Sequence, residues 1–266
     1  MLIDVNAALG SWPFTPLPER TAPQLVAHLA ANGIDRALVS HLSAVFLPDP
    51  ASANHALFAA VRHTPALLPV PIINPTLRNW PEQLANCIAA APIRAVKILP
   101  NYHNYTLRHA ALAPFIAAVE SAGLRLILQT RMEDERHRYF ALNIKGIPAK
   151  EVAAFLARFP QTHFVCTGLS KPEIEELTAD QTNFSADIAF AEWLRTLALL
   201  TKKIPARRLL LGTNAPLFEA RAQVDKLRLA QIPKKSAALI GSENAVRLFG
   251  LRTQVNYKMW NSGNQE

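Results

Sequence analysis

A lysine inside the apolar run AVKIL, Lys97, is the residue with the most obvious chemical potential. Burial disfavours the ammonium, lowers the lysine pKa and makes the amine a nucleophile or base. The competing role is structural, an ion pair with Asp4 or Asp187 or a stem that snorkels to solvent. Asp187 in SADIAF and His103 in PNYHNY could share proton transfer with it. Asp187 could equally bind backbone or lysine, and His103 could simply pack between Tyr102 and Tyr105. Arg131 in QTRMEDERHRY could clamp a carboxylate or phosphate, or pair with Glu133 or Asp134. His41 and the carboxamides Asn6, Asn74, Gln129 and Asn214, together with Thr167, complete a set of polar residues that each close an apolar run. Trp12 and Phe14 either wall a pocket or cover the first helix.

Those runs are strand candidates: Leu2 to Asn6, Arg36 to His41, Leu67 to Asn74, Ala95 to Leu99, Arg125 to Thr130, His163 to Thr167, Asn183 to Ala189 and Arg208 to Asn214. Helical apolar spacing separates them throughout, and eight alternating units predict a single-domain α/β chain, a (β/α)8 TIM barrel. In that fold the site lies at the C-terminal ends of the strands, where the polar residues fall. Thr21 and Gly33 bracket the first helix, whereas Pro114 predicts a kink or a later start for the helix that follows Leu107. KSAALIGSENAVRLFGL predicts a C-terminal helix packed on the barrel, with Ser242 capping its second half. The domain is expected over residues 1–251, with 252–266 as a tail.

The chain has 266 residues, half of them hydrophobic, and a formal net charge of +8. Lys202, Lys203, Arg207, Arg208, Lys234 and Lys235 fall at helix ends and turns, so no nucleic-acid partner is expected. No apolar stretch approaches the ~20 residues that span a bilayer, which predicts a cytoplasmic protein with no membrane partner. Cys87 and Cys166 lack zinc spacing and read as buried free thiols.

At the strand ends the sequence resembles the amidohydrolase superfamily, within it the amidohydrolase-related group of metal-dependent hydrolases and decarboxylases. MLIDVNAALGSWPF is similar to the opening strand, AVKILPNYHNY to the fourth, LRLILQT and FVCTGL to the fifth and sixth, and RLLLGTNAPLF to the eighth. IGSENAVRLFGL resembles the terminal helix. The resemblance implies metal ligands, four histidines and one aspartate, where this chain has Asn6, Ala8, Gln129, Thr167 and Asn214. Carboxamides and hydroxyls are weak ligands for a divalent cation. The expectation is therefore no metal, no other cofactor and a small polar or anionic ligand at the mouth, with homo-oligomerisation left open. Two functions follow: a hydrolase acting on a lactone or C–N bond through Lys97, His103 and Asp187, with Asn6, His41, Asn74, Gln129, Arg131 and Asn214 orienting substrate; or a pseudoenzyme that binds a ligand or partner.

Overall fold

The computed structural model describes residues 1–134 and 144–252. Among these residues eight strands alternate with helices: β1 (Ile3–Leu9), α1 (Ala22–Ala31), β2 (Arg36–His41), α2 (Ala51–Val61), β3 (Leu67–Pro69), α3 (Trp80–Ala90), β4 (Ala95–Ile98) and α4 (Leu112–Ser121). They continue as β5 (Arg125–Gln129), α5 (Ala149–Arg158), β6 (Phe164–Thr167), α6 (Lys171–Asp180), β7 (Phe184–Asp187), α7 (Thr196–Lys203), β8 (Leu209–Leu210), α8 (Ala220–Arg228), α9 (Lys234–Ala238) and α10 (Asn244–Phe249).

All pairings between strands are parallel, in the order β1-β2-β3 and β4-β5-β6-β7-β8. Two seams close the ring. Between β3 and β4 the Lys97 N–H donates to Pro71 O at 2.9 Å and the Ile73 N–H to Lys97 O at 3.0 Å. Between β8 and β1, Val5 N–H reaches Leu211 O at 2.9 Å, and Asn214 N–H reaches Asn6 O at 2.8 Å. Regular pairing of β3 stops at Pro69 rather than Asn74 because Pro69 and Pro71 have no N–H to give. β8 is likewise two residues long, since the chain passes through Gly212 and turns left-handed at Asn214, φ 58°.

The barrel floor is apolar. Ile3, Val5, Leu38, Val70, Ala95, Ile127, Val165 and Leu210 point together and are sealed from below by Ala245, Leu248 and Phe249 of α10. A β-bulge between Asp4 and Ala7 shifts the register of β1, so that Val5 faces this floor while the next residue, Asn6, faces the mouth. Helices follow local signals: Thr21 and Gln24 form a capping box, and Gly33 closes α1 at φ 74°. α4 starts at Leu112, which puts Pro114 in its first turn, where a missing N–H costs nothing. Ser242 is not a cap: it lies in a π-turn, Leu239–Glu243, that runs continuously from α9 into α10. Cys87 and Cys166 are buried, which pushes their thiols up to about 11 and about 12. Among the described residues no helix is long and apolar enough to cross a membrane.

Candidate functional site

Four strand ends converge on Lys97. Its ammonium, carried by β4, donates to Asn6 Oδ1 on β1 at 2.9 Å, and Asn6 Nδ2 donates onward to Asp187 Oδ2 on β7 at 3.1 Å. The other Asp187 oxygen accepts the Gly168 N–H at 3.1 Å. Beneath them Asp4 accepts the N–H groups of Asn6 (2.9 Å) and Thr213 (3.0 Å), and the Thr213 hydroxyl donates to its second oxygen. Lys97, Asn6, Asp4 and Asp187 are all buried. Burial brings Lys97 down to about 8, although the charges of Asp187 and Asp4 oppose that shift. Burial likewise raises Asp187 to about 6, against the pull of the Gly168 N–H, Asn6 and Lys97, and it raises Asp4. Each ionised group is thus held by its neighbours in a place that would otherwise neutralise it.

Above the network the segment Thr130–Asp134 crosses the barrel mouth as a strap. Gln129 Nε2 donates to Arg131 O at 2.6 Å and Asn214 Nδ2 to Met132 O at 2.8 Å, so two carboxamides hold successive carbonyls. The Thr167 hydroxyl fills the remaining role of Gln129 by donating to its Oε1 at 2.7 Å. From outside, Asn101 Nδ2 donates to Thr130 O (3.1 Å), the Met132 N–H donates to the Tyr102 hydroxyl (3.2 Å), and Trp12 Nε1 donates to Glu133 Oε1 (2.8 Å). Met132 is consequently buried. The space left below the strap, bordered by Asn6, Ala8, His41, Lys97, Met132 and Asn214, is about 10 Å³, the lower limit for a single water.

The glycines around the network are there because nothing larger fits. A Cβ on Gly212 would stand 2.5 Å from Asp187 Oδ2, and one on Gly168, where φ is +85°, would stand 2.7 Å from Arg131 O. Gly168→Ala therefore strains the backbone and pushes the strap away. It is expected to cost at least about 2 kcal/mol, read as a lower urea midpoint; an unchanged midpoint would contradict this packing.

The structure brings Asn6, Lys97, Gln129, Thr167, Asp187 and Asn214 into one network and sets His41 at its edge, with Nδ1 on Ser43 Oγ at 2.6 Å. Asn74 and His103 lie apart from it. Asn74 shapes its own loop, accepting from Thr76 and donating to Pro48 O. His103 Nε2 meets Ala44 O at 2.9 Å, and burial lowers its pKa. Arg131 pairs bidentately with Glu173 of α6, at 2.9 and 2.5 Å. Trp12 does wall a space, a cleft of about 820 Å³ above the strap, shared with Arg131, Glu173, Phe190, Phe218 and Glu219. Asp4, Thr213, Gly168 and Met132 are the participants that the strand-end rule missed. Asp4 precedes the strand end by two residues, and Met132 sits in a stretch that reads as a polar loop.

A divalent cation of the kind the resemblance implies does not fit these donors. Among the described residues no three His, Cys, Asp or Glu side chains gather as metal ligands. Asn6 Oδ1 already accepts from an ammonium, Gln129 Oε1 accepts from a hydroxyl, and Asn214 presents an N–H₂ group to a carbonyl. A metal needs lone pairs from each of these groups.

Fold and network together define a parallel (β/α)8 barrel with a polar cluster sealed at its C-terminal mouth. The family model for amidohydrolases matches residues 9–251, so the chain belongs to the amidohydrolase family. No curated protein matches the chain by sequence. Among solved structures it is similar to 5-carboxyvanillate decarboxylase from Sphingomonas paucimobilis, at TM-score 0.75 and 15% identity, covering 94% of this chain and 99% of that one. It is similar to a probable 2-pyrone-4,6-dicarboxylic acid hydrolase from Acinetobacter baumannii, solved with citric acid bound, at TM-score 0.66, 15% identity and coverage of 94% and 99%. A dihydroxybenzoic acid decarboxylase from Polaromonas, solved with manganese and 2-nitroresorcinol, gives TM-score 0.71, 16% identity and coverage of 94% and 97%. At these identities the likeness is one of fold.

Proposed function

We propose that this chain is a metal-independent member of the amidohydrolase family, whose inner site is a structural lock and whose working site is the cleft above the strap, binding a small polar ligand without hydrolysing it. The observation that carries this reading is the direction of the carboxamide hydrogen bonds. Gln129 and Asn214 spend their N–H donors on the carbonyls of Arg131 and Met132, and Asn6 spends both ends of its amide on Lys97 and Asp187. Groups in the position of metal ligands have become fasteners. The polar character of Asn6, Gln129 and Asn214 is thereby explained without catalysis, because an unpaired backbone carbonyl under the strap would cost the fold dearly.

The cleft supports binding through the faces of Trp12, Phe190 and Phe218 and the carboxylates of Glu133, Glu173 and Glu219. Arg131 holds Glu173 with both arms of its fork, so a carboxylated ligand would have to displace that partner. A polar ligand with hydrogen-bond donors suits the cleft better than a dianion. Trp12 reports on occupancy through its indole, which already touches Glu133. The test is a screen of small polar compounds followed by Trp12 fluorescence, with turnover measured in parallel against lactones, amides and aromatic carboxylates. Binding without turnover is expected, with or without added manganese; metal-stimulated turnover would overturn the reading.

One observation favours a second reading, in which Lys97 and Asp187 exchange a proton during catalysis. Burial brings the two groups toward each other, to about 8 and about 6, with only Asn6 between them. For this, the strap must lift, and turnover must vanish in Lys97→Met while the fold persists.

A further inference from the structure

The opposite end of the barrel carries an excess of positive charge with no function assigned to it. Arg125 at the start of β5, Arg208 just before β8 and Arg247 on α10 lie within electrostatic reach of His163, which precedes β6 and meets Ser185 Oγ on β7 at 3.0 Å. Backbone carbonyls hold each guanidinium in place. Arg125 Nε donates to Leu248 O at 3.0 Å, Arg208 donates to Phe184 O at 2.9 Å and Gln181 O at 2.8 Å, and Arg247 donates to Arg207 O at 2.9 Å. Among the described residues none of the three forms an ion pair with a carboxylate. Asp35, on the same face, is committed to the N-terminus and to the Leu2 N–H.

Arg208 is 7% exposed and has no carboxylate partner; its charge is met by two carbonyls and by the Phe184 ring, whose centroid lies 4.4 Å from the guanidinium carbon. Buried charges are normally paired. Here a neighbouring cation, Arg207, adds to the cost. The carbonyl contacts use Nε of Arg125 and one terminal nitrogen of Arg247, which leaves both terminal nitrogens of Arg125 and one of Arg247 as donors not spent on these carbonyls. Guanidiniums fixed by carbonyls, short of acids and with unused donors have the chemistry of an oxyanion receptor.

We propose that the N-terminal face of the barrel binds a multivalent oxyanion of the phosphate class, gripped by the unused nitrogens of Arg125 and Arg247, with the Arg208 charge and His163 beside them. The local potential agrees with this: burial and the three guanidiniums together bring His163 down to about 4. A bound anion reverses that influence and lets the imidazole take a proton at higher pH. Arg125, Arg208, Arg247 and Ser185 are the charged and polar groups that face it from β5, the turn before β8, α10 and β7.

The experiment titrates the full chain with pyrophosphate at constant ionic strength. Calorimetry follows binding, and NMR follows the His163 ring as pH is lowered. Saturable one-to-one binding is expected, together with an upward move of the His163 titration. Arg247→Gln, an exposed position, and Arg125→Gln should each weaken binding about tenfold or more. No saturable binding would overturn the proposal, as would an affinity equal to the parent's in both variants. Inorganic phosphate and a nucleoside diphosphate, run as parallel arms, distinguish a free anion from an esterified one. Salt-sensitive binding of a polynucleotide with no response to pyrophosphate would replace the small-anion site with a nonspecific basic surface.

Discussion

Lys97→Met is expected to lower stability by about 3–5 kcal/mol at neutral pH, because it removes the one cation from a buried cluster holding two carboxylates. Methionine fills nearly the same volume, so the loss reports charge rather than a cavity. For a domain of this size the melting temperature should fall by roughly 6–20 °C. The pH dependence gives the expectation its sign. The folded-state pKa of Asp187 is raised to about 6 from an ordinary 3.8, so its contribution to stability is fully present below the ordinary value and is lost as pH rises through about 6. Without Lys97 the folded value rises further. The variant's deficit should therefore be large at pH 7.5 and shrink toward pH 4.5, as Asp187 takes up a proton. Lys97→Met combined with Asp187→Asn should recover much of the loss. Denaturant unfolding of the three proteins at both pH values checks this. Unchanged stability in the single variant would mean that the ammonium is not part of the lock, and would favour the catalytic reading.

Asn214→Asp should open the strap. The Asn214 N–H₂ group donates to Met132 O at 2.8 Å, whereas a carboxylate there sets two acceptors against each other in a buried site. Loss of the bond and burial of an unpaired charge should cost about 2–3 kcal/mol. Amide hydrogen exchange at Met132 to Asp134 should then accelerate by roughly 30- to 150-fold, while exchange on the barrel floor around Ile127 and Val165 changes much less. Acidification should partly rescue the variant, because a protonated aspartic acid can donate to Met132 O again. Exchange at Met132 equal to the parent's would show that Tyr102, Trp12 and Gln129 hold the strap without Asn214.

The barrel was legible in the sequence because its signals are local. Thr21, Gly33 and the eight apolar runs each announce an element within a few residues. Lys97 was legible for the same reason, being a charge inside AVKIL. What could not be read was which strand-end polar group would turn inward and toward what. Asn74 and Asn6 are the same residue type at comparable places, but the proline-rich end of β3 lets Asn74 fold back on Thr76, whereas the bulge in β1 aims Asn6 at Lys97. Arg131 has acidic neighbours in sequence at Glu133 and Asp134, and still finds Glu173, 42 residues away, because α6 begins beside the strap. The strap itself left no trace in the apolar pattern. It exists through hydrogen bonds with Gln129, Tyr102, Trp12 and Asn214, which come from four separated parts of the chain.

A hydrogen-bonded lock in the inner site, as proposed, commits the carboxamides of Asn6, Gln129 and Asn214 to partners other than a metal. Elemental analysis of the purified chain, followed by calorimetric titration with manganese and zinc, tests it most directly. No stoichiometric metal is expected as purified, and no saturable site in either titration. One equivalent of tightly bound metal, lost on substitution of Asn6 or Asn214, would contradict it.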